Sequence, residues 1–157
     1  MPSLCAEKGD AFAQDLARLE WAIVSVIHAA DPPPLTLAAL ATLAPHEFAR
    51  QRLVARPALQ LLQLRYPVNA YYYDFWHDRA PAISEPAPSS VLVQRSGQTV
   101  YRRELPSAAA ALLASLISGT PVASALAADG GADPDAIGEW FREWVGSGLF
   151  SGLAPAD

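Results

Sequence analysis

Apolar residues recur at three- and four-residue steps between residues 10 and 30, a spacing that predicts one amphipathic helix. Asp10 is the predicted N-cap of this helix. The run Asp31-Pro32-Pro33-Pro34 is expected to stop it, because proline lacks the amide hydrogen that a helix interior needs. A shorter helix is predicted over residues 36–43, and Pro45 can open a further turn through Arg52. The apolar stripe of the first helix consists of Leu16, Leu19, Ile23, Val26, Ile27 and Ala30.

The middle of the chain has a mixed pattern. In residues 53–66 leucines alternate with Gln60, which favours a strand, although Leu61-Leu62-Gln63 also suits a helix. Pro57 argues against a central strand position, so an edge strand or an extended segment is predicted. Residues 68–77 predict a short aromatic helix, which suits a core plug or a docking face. Residues 81–90 are rich in proline and serine and predict a linker.

The last third of the chain predicts a β-hairpin followed by three helices. Two β-prone runs, residues 91–93 and 99–101, flank a turn at Gly97. The helices are predicted over residues 106–117, 122–128 and 134–145. Gly119 is expected to cap the first of them, residues 129–131 to end the second, and Asp133 to cap the third. Gly148-Leu149-Phe150 is expected to end the fold. The combination of helices with a hairpin predicts an α+β protein.

Composition narrows the class of protein. The 157 residues suit one domain or two very small ones, and 52% are apolar, enough for a real core. No run approaches the ~20 apolar residues of a membrane helix, and no basic patch precedes an apolar segment as in a signal peptide. The single cysteine, Cys5, excludes an internal disulfide and fits a reducing compartment. We therefore expect a cytoplasmic protein without membrane contact.

Charge is unevenly distributed around a net value of −5. Residues 1–47 hold Lys8 and Arg18 against six acids, and residues 104–157 hold Arg142 against seven. Residues 50–103 hold eight arginines against three acids. A basic middle between acidic ends suits an acidic peptide or an acidic protein patch, with plain surface solvation as the alternative.

No catalytic motif is visible. The chain lacks a glycine-rich phosphate loop, a nucleophile elbow and a Cys-x-x-Cys pair. His28, His46 and His77 lie far apart in sequence. Asp74 and His77 have a spacing that could bind a metal weakly, but a solvated helix end is the favoured explanation. A non-enzyme without a cofactor of its own is therefore expected.

A DNA-binding regulator is the first alternative, because three helices beside a hairpin resemble a winged helix. The hairpin, however, precedes the helices, whereas a wing usually follows them. The last helix also carries Asp135, Glu139 and Glu143 against Arg142 alone. Carboxylates on a recognition helix oppose the counterion release that supplies most affinity for nucleic acid, so binding to DNA is not favoured.

A hairpin followed by three helices also resembles the PqqD-like peptide-recognition fold, over about residues 91–151. The resemblance implies that a leader peptide pairs with an exposed strand edge and packs against the last helix, as in β-augmentation. Arg102, Arg103 and Trp140 are the residues expected in that peptide groove, with burial in the core as the alternative for Trp140. The matching positions are Leu105, Leu112, Leu116, Gly119, Ile137, Trp140, Phe141, Gly148, Leu149 and Phe150.

Four sequence blocks stand out in the first half of the chain, at residues 15–21, 28–31, 57–59 and 66–68. Their order and spacing resemble those of the HvfC/BufC family, and the hairpin-plus-helices tail matches as well. The resemblance implies a subunit that presents a ribosomally made precursor peptide to a multinuclear iron-dependent oxidase with a TIM-barrel fold. That oxidase would modify cysteines, often in peptides connected with copper handling, and the iron would belong to it. Some members of the family are labelled putative DNA-binding proteins.

Six residues of the blocks 15–21 and 28–31 are expected to contact the oxidase: Asp15, Arg18, Glu20, Trp21, His28 and Asp31. Simpler roles compete with this one, because Arg18 and Glu20 suit solvated helix charges and Asp31 suits a helix end. Trp21 lies beside the apolar stripe, which favours core packing. Typical members begin with a further helical domain, and this chain is expected to be a short form without it.

The expected organisation has three parts. Residues 1–80 form a helical partner-docking region with an extended segment near residues 53–66, residues 81–90 form the linker, and residues 91–153 form the peptide-recognition module. A structural scaffold without a peptide ligand is the second alternative. That alternative predicts that segment 53–64 of the chain itself covers the hairpin's strand edge.

Overall fold

A computed structural model describes residues 4–128 and 133–156, with side chains from residue 9 onwards. Its helices are α1 (Leu4–His28), α2 (Leu37–Ala41), α3 (Pro45–Ala49), α4 (Val68–Trp76), α5 (Ser107–Ile117), α6 (Val122–Ala128) and α7 (Pro134–Gly146). Its strands are β1 (Gln51–Ala55), β2 (Leu59–Leu64), β3 (Ser89–Ser96), β4 (Thr99–Leu105) and β5 (Phe150–Pro155). The α+β prediction is confirmed. Among the described residues, no helix combines the length and the apolar character needed to cross a bilayer.

Two antiparallel sheets organise these elements. The larger sheet has the order β2-β3-β4, with Leu59 opposite Gln94 and Ser96 opposite Thr99. The smaller sheet pairs β1 with β5, from Gln51 opposite Pro155 to Ala55 opposite Phe150. Both sheets therefore join residues from the first half of the chain to residues from the last.

The larger sheet separates two apolar cores, because successive residues of a strand face opposite sides. Leu92 packs in the core formed with α5, α6 and α7, where Trp144 and Phe150 are fully buried. Its neighbours Val91 and Val93 pack in the other core, against α1 and the start of α4. The chain thus forms a central sheet with α1 and α4 on one face and the three C-terminal helices on the other.

The helices follow the predicted pattern with differences at their ends. Helix α1 begins at Leu4, so the prediction of Asp10 as its N-cap is wrong, because the helical turns continue through that residue. Thr36 caps α2, and Asp133 caps α7 by accepting a hydrogen bond from the amide of Asp135 at 3.3 Å. The predicted end of the second C-terminal helix at residues 129–131 lies outside the described residues.

The strands differ more from the prediction. The ambiguous segment 53–66 contains the end of β1 and all of β2, and Pro57 lies between the two strands. β2 is an edge strand, as Pro57 suggested. Gly148-Leu149-Phe150 does not end the fold, because Phe150 begins β5. The turn through Arg52 is also wrong, since α3 ends at Ala49 and Arg52 pairs with Ala154 in the smaller sheet.

The proline-rich segment follows α4 and leads into β3. Residues 81–88 contain no helix or strand, and Ser89 and Ser90 already belong to β3. β2 lies before this segment and pairs with β3 directly after it. The expected parts 1–80 and 91–153 therefore share both sheets.

Candidate functional site

The hairpin turn determines which backbone groups of β4 face outward. Gly97 has a φ of 59° and is the first of two turn residues, as a type II′ turn requires. The pair that closes a two-residue hairpin, here Ser96 and Thr99, is hydrogen-bonded, and hydrogen-bonded pairs alternate with non-bonded ones along the ladder. Val100, Arg102 and Glu104 therefore direct their N–H and C=O groups away from β3.

These outward groups of Val100, Arg102 and Glu104 are called the β4 edge below. Within residues 4–128 and 133–156, no strand pairs with the outer side of β4, and no other backbone hydrogen bond reaches it. The strand carries charged side chains at Arg102, Arg103 and Glu104, which protect an open edge from indiscriminate pairing. The β4 edge can accept an extended peptide as a fourth strand.

Two helices flank the β4 edge, one on each face of the sheet. Arg102 points toward α4, where its Nη1 donates to Asn69 Oδ1 at 3.0 Å and its guanidinium lies 4.4 Å from the centre of the Tyr72 ring. Arg103 points toward α7 and forms an ion pair with Glu143. A peptide added to β4 would therefore lie between an aromatic helix and the last helix of the chain.

A hollow of about 330 Å³ lies where the hairpin faces the end of α7. We call it the β4–α7 hollow, and its walls are formed by Gln94, Ser96, Tyr101, Arg103, Gly146 and Ser147. Burial lowers the pKa of the Arg103 guanidinium from its ordinary value. The side chain nevertheless keeps its charge at neutral pH, because arginine starts far above that range. The hollow therefore combines one cation with neutral polar groups.

The three residues predicted for the peptide groove take different positions. Arg102 and Arg103 lie on β4 itself, on opposite faces of the sheet. Trp140 is half-buried and its ring is stacked on that of Trp144 at 6.3 Å, so part of it belongs to the core. Trp140 precedes Glu143 by three residues, which places it on the same side of α7.

Asp15, predicted as a partner contact, is buried and is used within the fold. Its side chain is 1% exposed, and its Oδ2 accepts hydrogen bonds from the amides of Arg65 at 2.6 Å and Tyr66 at 3.1 Å. Arg18 donates to Asp15 Oδ1 at 3.2 Å and to the carbonyl of Gln63 at 2.8 Å. A direct contact of Asp15 with a partner is therefore wrong, because its carboxylate holds the connection between β2 and α4.

Asp31 does more than end the first helix. It forms ion pairs with Arg56 and Arg95, which come from two other parts of the chain. Arg95 also donates to the carbonyls of Val26 at 2.8 Å and Ala29 at 2.7 Å, at the end of α1. Burial and the nearby charge of Arg95 lower the pKa of Arg56. The Asp31–Arg56–Arg95 cluster ties α1 to both sheets.

We expect Asp31→Ala to lower the free energy of unfolding by about 2 kcal/mol, because it leaves two partly buried arginines without their shared carboxylate. The matched control is Asp74→Ala, which removes an exposed ion pair with Arg79 and should change stability by less than about 1 kcal/mol. Urea unfolding of the two variants measures the difference. Equal losses would show that the cluster contributes no more than a surface pair.

The remaining predicted partner residues lie on the outer side of α1. Trp21 is 71% exposed, so the core-packing alternative for it is wrong. Glu20 and His28 are also exposed. Phe75 and Trp76 of α4 are exposed as well, and Glu20 and Phe75 line a small hollow of about 130 Å³ between the two helices. The exposed rings of Phe75 and Trp76 suit a docking face, whereas Tyr71 and Tyr72 of the same helix pack against the core.

The chain's own segment covers one side of the hairpin and leaves the other open. β2 pairs with β3, which is the coverage that the scaffold alternative predicts within residues 53–64. The outer side of β2 is partly occupied, because Arg18 donates to the outward carbonyl of Gln63 at 2.8 Å. β4 is the edge strand at the other end of the β2-β3-β4 order, and its outer edge remains available for a peptide.

Sequence reasoning missed Gln94, Tyr101 and Glu143 as neighbours of the site. One signal was available for Gln94, since it lies at an inward position of a strand whose neighbours are apolar.

In the described part of the chain, no group of three or more His, Cys, Asp or Glu side chains could hold a metal ion. Asp74 instead pairs with Arg79 at 3.3 Å, and His77 Nδ1 lies 2.7 Å from the carbonyl of Tyr73.

No protein-family model matches the chain, and no curated protein is similar to it in sequence.

Proposed function

We propose that the chain is a non-catalytic partner subunit that binds a ribosomally made precursor peptide and presents it to a multinuclear iron-dependent oxidase for cysteine modification. The observation that carries the proposal is the β4 edge, an open strand between two helices. The oxidase as the recipient comes from the resemblance of the sequence blocks to the HvfC/BufC family. The iron would belong to the partner.

Backbone pairing accounts for the affinity of such a site. A peptide strand beside β4 would exchange hydrogen bonds with Val100, Arg102 and Glu104, each contributing about 1 kcal/mol net of lost water contacts. Side chains of the peptide would alternate between the α4 side and the α7 side of the sheet. Backbone bonds therefore supply binding without sequence preference, and the two flanking helices supply selection.

Charge on the α4 side of the edge favours a peptide with an acidic residue there. Arg102 lies toward α4 beside the neutral amide of Asn69, whereas the charge of Arg103 on the α7 side is already balanced by Glu143. Each guanidinium already contacts a group of the fold, Asn69 or Glu143, and this fixes its position before a peptide arrives. Preorganised charges lose less side-chain entropy on binding than free ones.

The exposed aromatic surface of α1 and α4 is the proposed contact with the oxidase. Tryptophan and phenylalanine are enriched at the centres of interfaces, where truncating one residue commonly weakens binding by more than 1 kcal/mol. Trp21, Phe75 and Trp76 lie on the helices of the N-terminal half, whereas the β4–α7 hollow lies on the opposite face of the sheet. One side of the subunit could thus hold the peptide while another holds the enzyme.

Purification of the tagged chain from the cells that encode it tests the proposal. We expect an iron-containing TIM-barrel protein to co-elute, identified by mass spectrometry and iron analysis. Trp21→Ala should lower its recovery roughly tenfold while leaving the thermal midpoint unchanged, because the side chain is 71% exposed. Gln14→Ala, an exposed change on the same helix, serves as the control. An eluate without iron, or one enriched in DNA, would contradict the proposal.

A further inference from the structure

Two polar atoms beside the β4–α7 hollow have no hydrogen-bond partner among the residues that the structure describes. One is Gln94 Oε1, an acceptor on a side chain that is only 7% exposed. The other is Arg103 Nη2, a donor whose neighbour Nη1 is held by Glu143. Both residues line the hollow, and Gln94 forms its inner wall because β3 is the central strand. Buried polar atoms without partners are uncommon in folded proteins and call for an explanation.

We infer that the hollow is a subsite for a carboxamide side chain, Asn or Gln, of the peptide bound at the β4 edge. This inference rests on the proposed function and adds the chemistry of one recognised residue. The carboxamide oxygen would accept from Arg103 Nη2, and its NH2 group would donate to Gln94 Oε1. Tyr101 is half exposed and forms part of the wall of the hollow.

Other side chains match the two atoms less well. A carboxylate can accept from Arg103 but has no hydrogen to donate to Gln94, and it would lie near the negative charge of Glu143. An ammonium group can donate to Gln94 but would lie beside the guanidinium of Arg103. An apolar side chain would leave both buried atoms unpaired, so it would gain no affinity from them. Hydroxyl groups of Ser, Thr and Tyr also donate and accept, but through a single oxygen, whereas a carboxamide presents its acceptor and its donor on two separate atoms, one for Arg103 and one for Gln94.

Selection of displayed random-sequence peptides on the purified full chain tests the subsite. We expect the enriched peptides to share Asn or Gln at one position in a fixed register. For one such peptide, replacing that residue by leucine should weaken binding to the wild-type chain about tenfold. Gln94→Leu should weaken binding of the original peptide by a similar factor, and the two changes together should cost little more than either alone.

Gln60→Leu is the matched control, since Gln60 is an exposed glutamine on β2 of the same sheet and lies outside the hollow. It should leave affinity unchanged, and thermal unfolding establishes that both variants fold. Enriched peptides without a carboxamide preference, or with an acidic residue at that position, would overturn the subsite while the proposed function stands. Failure to enrich any peptide that depends on β4 would overturn both.

Discussion

Replacing Asp15 with alanine is expected to lower the free energy of unfolding by about 3 kcal/mol, because two backbone amides and Arg18 lose a buried charged acceptor together. The amides of Arg65 and Tyr66 lie between the end of β2 and the start of α4, where the fold offers Asp15 as their acceptor. Urea unfolding followed by circular dichroism measures the change.

Two further variants test whether the loss of stability comes from the carboxylate of Asp15. Asp15→Asn keeps the size of the side chain but turns an NH2 group toward Arg18 or toward the two amides, so an intermediate loss is expected. Gln14→Ala removes the exposed neighbour that contacts Arg65 at 3.4 Å and should change stability by no more than about 0.5 kcal/mol. Similar stabilities for Asp15→Ala and Gln14→Ala would refute the structural role of Asp15.

Glu104→Pro is expected to weaken binding of a selected peptide roughly tenfold or more, because proline removes an outward N–H and places its ring where the added strand must approach. The fold should tolerate the change. Glu104 is exposed, its amide does not serve the ladder to β3, and proline is found on edge strands. Fluorescence anisotropy with a labelled peptide measures the loss.

Glu104→Ala is the matched control, since it removes the same carboxylate but keeps the amide hydrogen. The difference between the two variants therefore reports the backbone contact alone. If alanine and proline weaken binding equally, the peptide is held through the side chain of Glu104 or at another site. Unchanged binding in both variants would exclude the β4 edge.

Local patterns in the sequence were enough to predict most of the helices and the hairpin. The apolar spacing of α1, the proline run after it and the cap at Asp133 act within a few residues, so the chain itself contains the information. The pairing of strands before the linker with strands after it could not be predicted from local patterns. β5 follows a glycine-rich turn and pairs with β1, about a hundred residues earlier, which no local signal specifies.

The candidate site was partly predictable for the same reason. Arg102 and Arg103 lie in the predicted hairpin, so their position on an exposed strand followed from local pattern. The structural roles of Asp15 and Asp31 were not fully predicted, because their partners, Tyr66 and Arg95, are more than fifty residues away in the sequence. A lone acid on a helix gives no sign of whether its carboxylate serves a partner or the fold. The position of Gln94 beside the site depends on the packing of α7 against the hairpin, which the sequence does not reveal.

The N-terminal half explains how the β4 edge is held in place. α1 packs on the sheet through Leu19 and Val26, both fully buried, and Arg95 fastens the hairpin to the end of that helix. α4 contacts β4 through Arg102. α1 and α4 therefore support the β4 edge, and Trp21 of α1 is exposed on the outer side of that helix.

Amide hydrogen exchange measured by NMR, with and without a selected peptide, tests the β4 edge most directly. We expect the amides of Val100, Arg102 and Glu104 to exchange roughly tenfold more slowly when the peptide is bound. The amides of Tyr101 and Arg103, already in the ladder to β3, should change less. A bound peptide that instead protects Leu59 and Leu61 on β2, or protects no strand amide, would contradict binding by strand addition at β4.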